Sequence, residues 1–182
     1  EKIQVGICLF TYVMNRTNNI INYIDSWIIQ PVDQIIIIDW NSSESFLEII
    51  KEKKDDRIIY VRVENEETFI RTFAQNLAAM LCKYDKIMKL DSDITLYPDF
   101  FKYHILEKGE FYVGEWTCAR NPNEKYTHGN IYLWLYDFLN INGYNEFIKT
   151  YGYDDTDFTL RLQMSGLDKK IFNQNLLYHN PH

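Results

Sequence analysis

The chain has 182 residues, 46% hydrophobic and 16% aromatic, with seven glycines and four prolines. That excludes a disordered or fibrous polypeptide and leaves enough length for a sizeable core. The formal net charge of −7, with no lysine- or arginine-rich run, excludes a phosphate-backbone footprint, so no nucleic-acid partner is expected.

Three cysteines, Cys8, Cys82 and Cys118, are odd in number and have no paired short spacing, so they form neither a disulfide framework nor a zinc site. Cys8 and Cys82 fall in apolar patterns and read as buried free thiols. There is no signal peptide and no apolar run of about 20 residues. A membrane segment is therefore not expected, and a cytoplasmic location is. The chain begins almost directly on a strand, as a piece of a longer protein would.

In chain order, "IQVGICLFTY" (3–12) is a short β-branched run and reads as a buried strand. Residues 18–30 carry Ile20, Ile21, Ile24, Trp27 and Ile28 at helical spacing, with Pro31 as the stop. "DQIIIIDW" (33–40) is a continuous apolar run of the parallel-sheet kind. Residues 43–53 open on a serine followed by acids and read as a capped helix. "RIIYVRVE" (57–64) is a third strand. Residues 68–84 are the clearest helix, with Phe69, Phe73, Asn76, Leu77, Met80 and Leu81 along one side. "KIMKLDSD" (86–93) is a fourth strand.

Strands alternating with helices predict an α/β fold with a mostly parallel sheet and helices on both faces. Ligands of such sheets bind beyond the carboxyl ends of the strands, an edge that gathers Thr11, Asp39, Asp91 and Asp93. The second half continues with an aromatic strand (110–119), a loop rich in Asn and Pro (121–130), "IYLWLYDFLNING" (131–143) and "YGYDDTDFTLRLQMSG" (151–166). No internal repeat or low-complexity linker interrupts it. Residues 1–182 are thus expected to form one domain, with a nucleotide-binding half (1–100) and an acceptor half (101–182).

Asp91 and Asp93, at i and i+2 of a strand, share one face and repel each other unless something positive sits between them. Mg²⁺ or Mn²⁺ suits such a pair, taking few carboxylates plus the phosphates of a substrate. Acids two apart are common on surfaces, but a pair closing an apolar strand at the ligand edge favours the metal. Asp154, Asp155 and Asp157 precede a helix over Thr156–Met164, which Gly166 ends. First-turn acids are ordinary, and Asp157 with Arg161 is an ordinary i, i+4 pair. Three acids after "YGY" nevertheless exceed what capping needs. A carboxylate facing a metal-held leaving group is what a base for hydroxyl attack requires. In the terminal "YHNPH", His179 is the better candidate to complete a carboxylate metal site, His182 the weaker.

On these residues the sequence resembles the GT-A glycosyltransferases of the family-2-like group. Its C-terminal half is similar to that of β-1,4-galactosyltransferases and polypeptide GalNAc-transferases. Five segments in order carry the resemblance over nearly the whole chain: "VGICLFTYVMNR", "IIIIDWNSSE", "FIRTFAQNLA", "KLDSDI" as the DxD motif, and "INGYNE…YGYDDTDFTLRL" against the pattern NG(F/Y)xE…GWGxED(x)D…RL. The resemblance implies that Thr11 and Arg16 lie in the nucleotide loop and that Asp39 hydrogen-bonds uracil. It implies that Arg71 reaches the diphosphate or sugar, that Asp91 contacts the ribose or a metal-bound water, and that Asp93 and His179 ligate the metal. It further implies that Gly129 starts a segment flanking the sugar pocket, that Tyr151 stacks on a sugar where the family often has Trp, that Asp154 binds the acceptor or donor sugar, and that Asp155 is the base. The family's Glu-Asp is Asp154-Asp155 here and its preceding Gly is Tyr153, departures that bear on which sugar is used.

The implied activity is inverting, metal-dependent transfer from a UDP-sugar to a saccharide, glycan or other hydroxyl acceptor, with Mn²⁺ or Mg²⁺. A nucleotidyltransferase would use a similar sheet, but "TYVMNRTNN" lacks the usual glycine-rich phosphate loop. A non-catalytic nucleotide- or glycan-binding module would be expected to have lost some of these acids.

Overall fold

The computed structural model describes residues 2–181; His182 lies outside them. The chain runs β1 (Gln4–Val13), α1 (Thr17–Ile28), β2 (Gln34–Trp40), α2 (Leu47–Glu52), β3 (Ile58–Val63), α3 (Arg71–Leu81) and β4 (Tyr84–Lys89). It continues through β5 (Ile94–Leu96), α4 (Phe100–Tyr103), β6 (Glu110–Val113), β7 (Ile131–Trp134), α5 (Leu135–Asn140), α6 (Asp154–Met164), β8 (Asp168–Ile171) and β9 (Leu177–His179).

A seven-stranded sheet has the order β3-β2-β1-β4-β7-β6-β8. The four strands of the first half are all parallel, β7 joins both its neighbours antiparallel, and β6–β8 is parallel. The sheet is therefore mostly parallel. Its strands read as unbroken apolar runs because both faces are covered. Cys8, Phe10, Tyr12, Ile36 and Ile38 bury one face against α3, α5 and α6, in a cluster with Ala74, Phe138 and Phe158. Leu9, Ile35, Ile37 and Met88 bury the other face with Ile24 and Trp27 of α1, Ile50 of α2 and Phe100 of α4. Cys8 and Cys82 are buried free thiols and Cys118 is exposed. Among the described residues no helix is long and apolar enough to cross a membrane.

Three local expectations are corrected. The second helix starts at Leu47, later than expected, and the residue at its N-cap position is Phe46, whose side chain has no acceptor; Ser45 Oγ, one residue earlier, accepts from the Leu47 N–H at 3.4 Å. The buried face of α3 is Thr72, Ala74, Gln75, Ala78 and Ala79. Alanines let the helix axis approach the sheet closely, so the bulky Phe73 and Leu77 flank the contact and Met80 is left 78% exposed. The aromatic strand stops at Val113, and Trp116–Cys118 forms a 3-10 turn.

Candidate active site

The carboxyl edge of the sheet opens into a cleft of about 740 Å³, within the range of small-molecule sites. Its walls come from Tyr12–Met14 and Arg16 at and beyond the end of β1, Phe69 and Arg71 before and at the start of α3, Asp91–Asp93 after β4, Tyr126, His128, Gly129, Tyr151, Asp155 and His179. Residues far apart in sequence meet here because parallel strands deliver every βα connection to the same edge.

The two acids of "KLDSDI" do not share a strand face. Strand β4 ends at Lys89, and Asp91–Asp93 forms the turn into β5. Each acid acquires its own basic neighbour. Asp91 Oδ1 lies 2.9 Å from Lys89 Nζ. Asp93 Oδ2 lies 3.5 Å from His179 Nε2, because β9 pairs with β5 and sets His179 opposite Ile94. The Tyr126 ring packs on His179 at 4.9 Å. Asn130, wholly buried, accepts from the Asp91 N–H at 2.7 Å and donates to Thr127 O at 2.8 Å, fixing the turn to the 127–130 segment.

A carboxylate and an imidazole side by side at the cleft fit Mn²⁺, and the carboxylate alone fits Mg²⁺. Asp93 and His179 meet that description. Lys89 engages Oδ1 of Asp91, the third expected ligand, so that only its Oδ2 is left by this contact. Among the described residues, no three acidic, imidazole or thiol groups are gathered as a ready ligand set.

Asp155 stands in the first turn of α6, open to the cleft, with Oδ1 at 3.1 Å from Lys89 Nζ and 3.3 Å from the Tyr144 hydroxyl. Loss of solvent around the carboxyl raises its pKa to about 6. Lys89 opposes that rise, while the negative charges of Asp91 and Asp154 add to it. Asp154 is almost wholly buried behind it. It accepts from Arg71 Nη2 at 3.4 Å and from Gln75 Nε2 at 3.3 Å. The Arg71 guanidinium in turn lies 4.2 Å over the Tyr151 ring. Tyr151 and Trp116 are both largely exposed, so neither is a core aromatic. Tyr153, where the family pattern has glycine, takes a left-handed φ of 69°.

Two expected nucleotide contacts are not brought to the cleft. Thr11 is wholly buried inside β1. Asp39 is wholly buried under Arg62, Tyr60 and the Ser42 N–H. Burial would raise its pKa, but these donors outweigh that and hold it below the usual carboxylate value. Its charge is thus spent inside the protein, and Arg62 from β3 shields it. Arg16 does line the cleft.

Sequence reasoning missed Lys89, Gln75, Asn130 and Tyr144. Lys89 alone carried a signal, a lysine inside a strand whose neighbours Ile87 and Met88 serve opposite faces.

This is the GT-A glycosyltransferase fold. TarS from S. aureus, residues 1–349, superposes with a TM-score of 0.73 at 12% identity over 97% of this chain and 60% of its own. The mannosyltransferase PcManGT from Pyrobaculum calidifontis, in complex with GDP-Man and Mn²⁺, gives 0.71 at 12% identity over 92% of this chain and 55% of its own. The catalytic domain of Drosophila β1,4-galactosyltransferase 7 with xylobiose gives 0.65 at 14% identity over 97% and 70%. The chain thus spans 55–70% of the length of these structures. Within the fold, residues 113–182 match the family described as the N-terminal domain of galactosyltransferase. No curated protein is matched by sequence.

Proposed function

We propose that the chain is an inverting, metal-dependent glycosyltransferase acting on a nucleotide-diphosphate sugar, a UDP-sugar in the first place, with a hydroxyl of a saccharide or glycan as acceptor. The observation that carries this reading is Asp155. It is a carboxylate at the start of α6 that shares a cleft with Asp91, Asp93 and His179 and has its pKa lifted to about 6. The Drosophila enzyme bound to manganese, UDP-Gal and xylobiose, and TarS bound to UDP, support the choice of ligands.

Residues 1–100 would then hold the nucleotide and residues 101–182 the acceptor. Asp155 takes the proton of the acceptor hydroxyl as that oxygen bonds to the anomeric carbon. The bond from that carbon to the diphosphate breaks, and UDP leaves with the electron pair. Arg16 and Arg71 place positive charge along the cleft, Asp91 meets the ribose or a water, and Tyr151 offers its ring to a sugar. Asp93 and His179 would hold the divalent cation, which when bound supplies positive charge to the leaving diphosphate.

The test is UDP release from a panel of UDP-sugars, with Mn²⁺ and with EDTA, in wild type and Asp93→Asn. Metal-dependent release from one donor, lost in the variant, is expected. Absence of nucleotide binding with or without metal would overturn the reading, and UDP binding with no turnover of any donor plus acceptor would reduce it to a binding module.

A further inference from the structure

Lys89 is a lysine that the transfer scheme does not use, yet it is 1% exposed and ends a central strand of the sheet. A lysine ammonium has three N–H donors. Here they meet three acceptors from three elements: the carbonyl of Gly129, Asp91 Oδ1 at 2.9 Å and Asp155 Oδ1 at 3.1 Å. A solvated ion pair would neutralise the same two acids without burying a charge, and a methionine would fill the same volume without needing partners.

The geometry around Gly129 shows what this arrangement does. The backbone of Gly129 is not in the left-handed region, so glycine is not required there by conformation. It is required by space. A Cβ at Gly129 would lie 2.5 Å from Asp91 Oδ2, 3.1 Å from Asp155 Oδ2 and 3.2 Å from Lys89 Nζ. Both carboxylates are gripped by Oδ1, and both present Oδ2 to the same gap.

We propose that Lys89 is a positioning residue for the transfer: by holding Oδ1 of Asp91 and of Asp155 it turns both Oδ2 atoms onto the gap beside Gly129. Asp155 Oδ2, which Lys89 leaves free, is then the oxygen that takes the acceptor's proton from the cleft side, and its distance to the donor-side carboxylate is set by one strand-borne lysine and not only by the turn and the helix that carry the two acids. The proposal rests on the transferase reading for its chemistry but not for its geometry.

The experiment pairs steady-state kinetics of Lys89→Met and Lys89→Arg with UDP affinity by calorimetry and a crystal structure of each variant. Lys89→Met is expected to lower kcat about 100-fold, as a misplaced base does, with a clearly smaller loss in donor KM and UDP affinity from the release of Asp91. Its crystal structure should show the Asp155 carboxylate rotated away from the gap. Lys89→Arg, which keeps the charge but changes its reach, should keep the fold and lie between the two.

A kcat within threefold of wild type in Lys89→Met overturns the proposal. So does a parallel loss of kcat, UDP affinity and thermal stability with both carboxylates unmoved, which would make Lys89 a structural counter-ion. If Lys89→Met does not fold, a wild-type kcat in Lys89→Arg overturns it. If the wild type transfers no sugar from any donor, the transferase reading fails instead. The geometry is then judged by crystallography alone, and unmoved Asp91 and Asp155 carboxylates in either variant refute it.

Discussion

A base must be ionised to work, and Asp155 sits where ionisation is made harder. Burial, with Asp91 and Asp154 as negative neighbours, lifts its pKa to about 6, and Lys89 keeps it from going further. The sign follows directly: below that value the carboxyl is protonated and cannot accept a proton, above it the base is available. The acid limb of kcat/KM should therefore rise about tenfold per pH unit and level off near pH 6. Asp155→Asn should lose about 10²- to 10⁴-fold in kcat, the range for removing a general base, with UDP binding retained. A pH–rate profile with no acid limb above pH 5 would show that Asp155 is not the titrating base. Gly129→Ala tests the same gap sterically. Its methyl group would intrude on both Oδ2 atoms, so kcat should fall by about 10²-fold while the circular dichroism spectrum stays that of wild type.

At the scale of elements, α3 separates the side a pattern marks from the residues that lie innermost. Phe69, Phe73, Leu77 and Leu81 do pack against the core, partly buried, but the fully buried positions are Ala74 and Ala78, and Met80 is left exposed. The largest apolar residues need not be innermost where a helix lies close on a sheet. Ala78→Leu is expected to destabilise the protein by about 1–3 kcal/mol through overpacking, whereas Met80→Lys should change stability by less than about 0.5 kcal/mol. Denaturant titrations of the two variants decide it, and the reverse order would restore the bulky stripe as the core.

The same contrast explains what else was legible. The strands and helices of the first half carried their signal locally, as apolar runs between breakers, and so did the acids at 91–93 and 154–157. Lys89 and Gln75 are polar residues whose partners on α6, Asp155 and Asp154, lie 66 and 79 residues away. No window along the chain contains both ends of those contacts. Asp39 ends its strand as expected, but only the pairing of β2 with β3 reveals that Tyr60 and Arg62 cover it.

Over the whole molecule, the cleft takes its lining from both halves of the chain: Arg16, Arg71 and Asp91–Asp93 among those from the first, Gly129, Asp155 and His179 among those from the second. The half-chains are already joined by the β4–β7 and β5–β9 pairings, so a nucleotide in the cleft adds contacts across a seam that exists before it binds. Binding to the folded state alone stabilises by RT ln(1 + [L]/Kd), about 2.7 kcal/mol at a hundredfold excess over Kd. For a chain of this length each kcal/mol moves Tm by about 2–4 °C, so saturating UDP with Mn²⁺ should raise Tm by about 5–10 °C. If Asp93 and His179 hold the cation, EDTA should remove most of that shift, and Asp93→Asn should remove the part that depends on Mn²⁺ while leaving the unliganded Tm close to wild type. A shift of the same size with UDP in EDTA would mean that the cleft binds nucleotide through Arg16 and Arg71 without a metal, and Asp93 would then need a different role. Calorimetric scans of wild type and variant without ligand, with UDP and Mn²⁺, and with UDP in EDTA separate these cases without requiring the acceptor to be known.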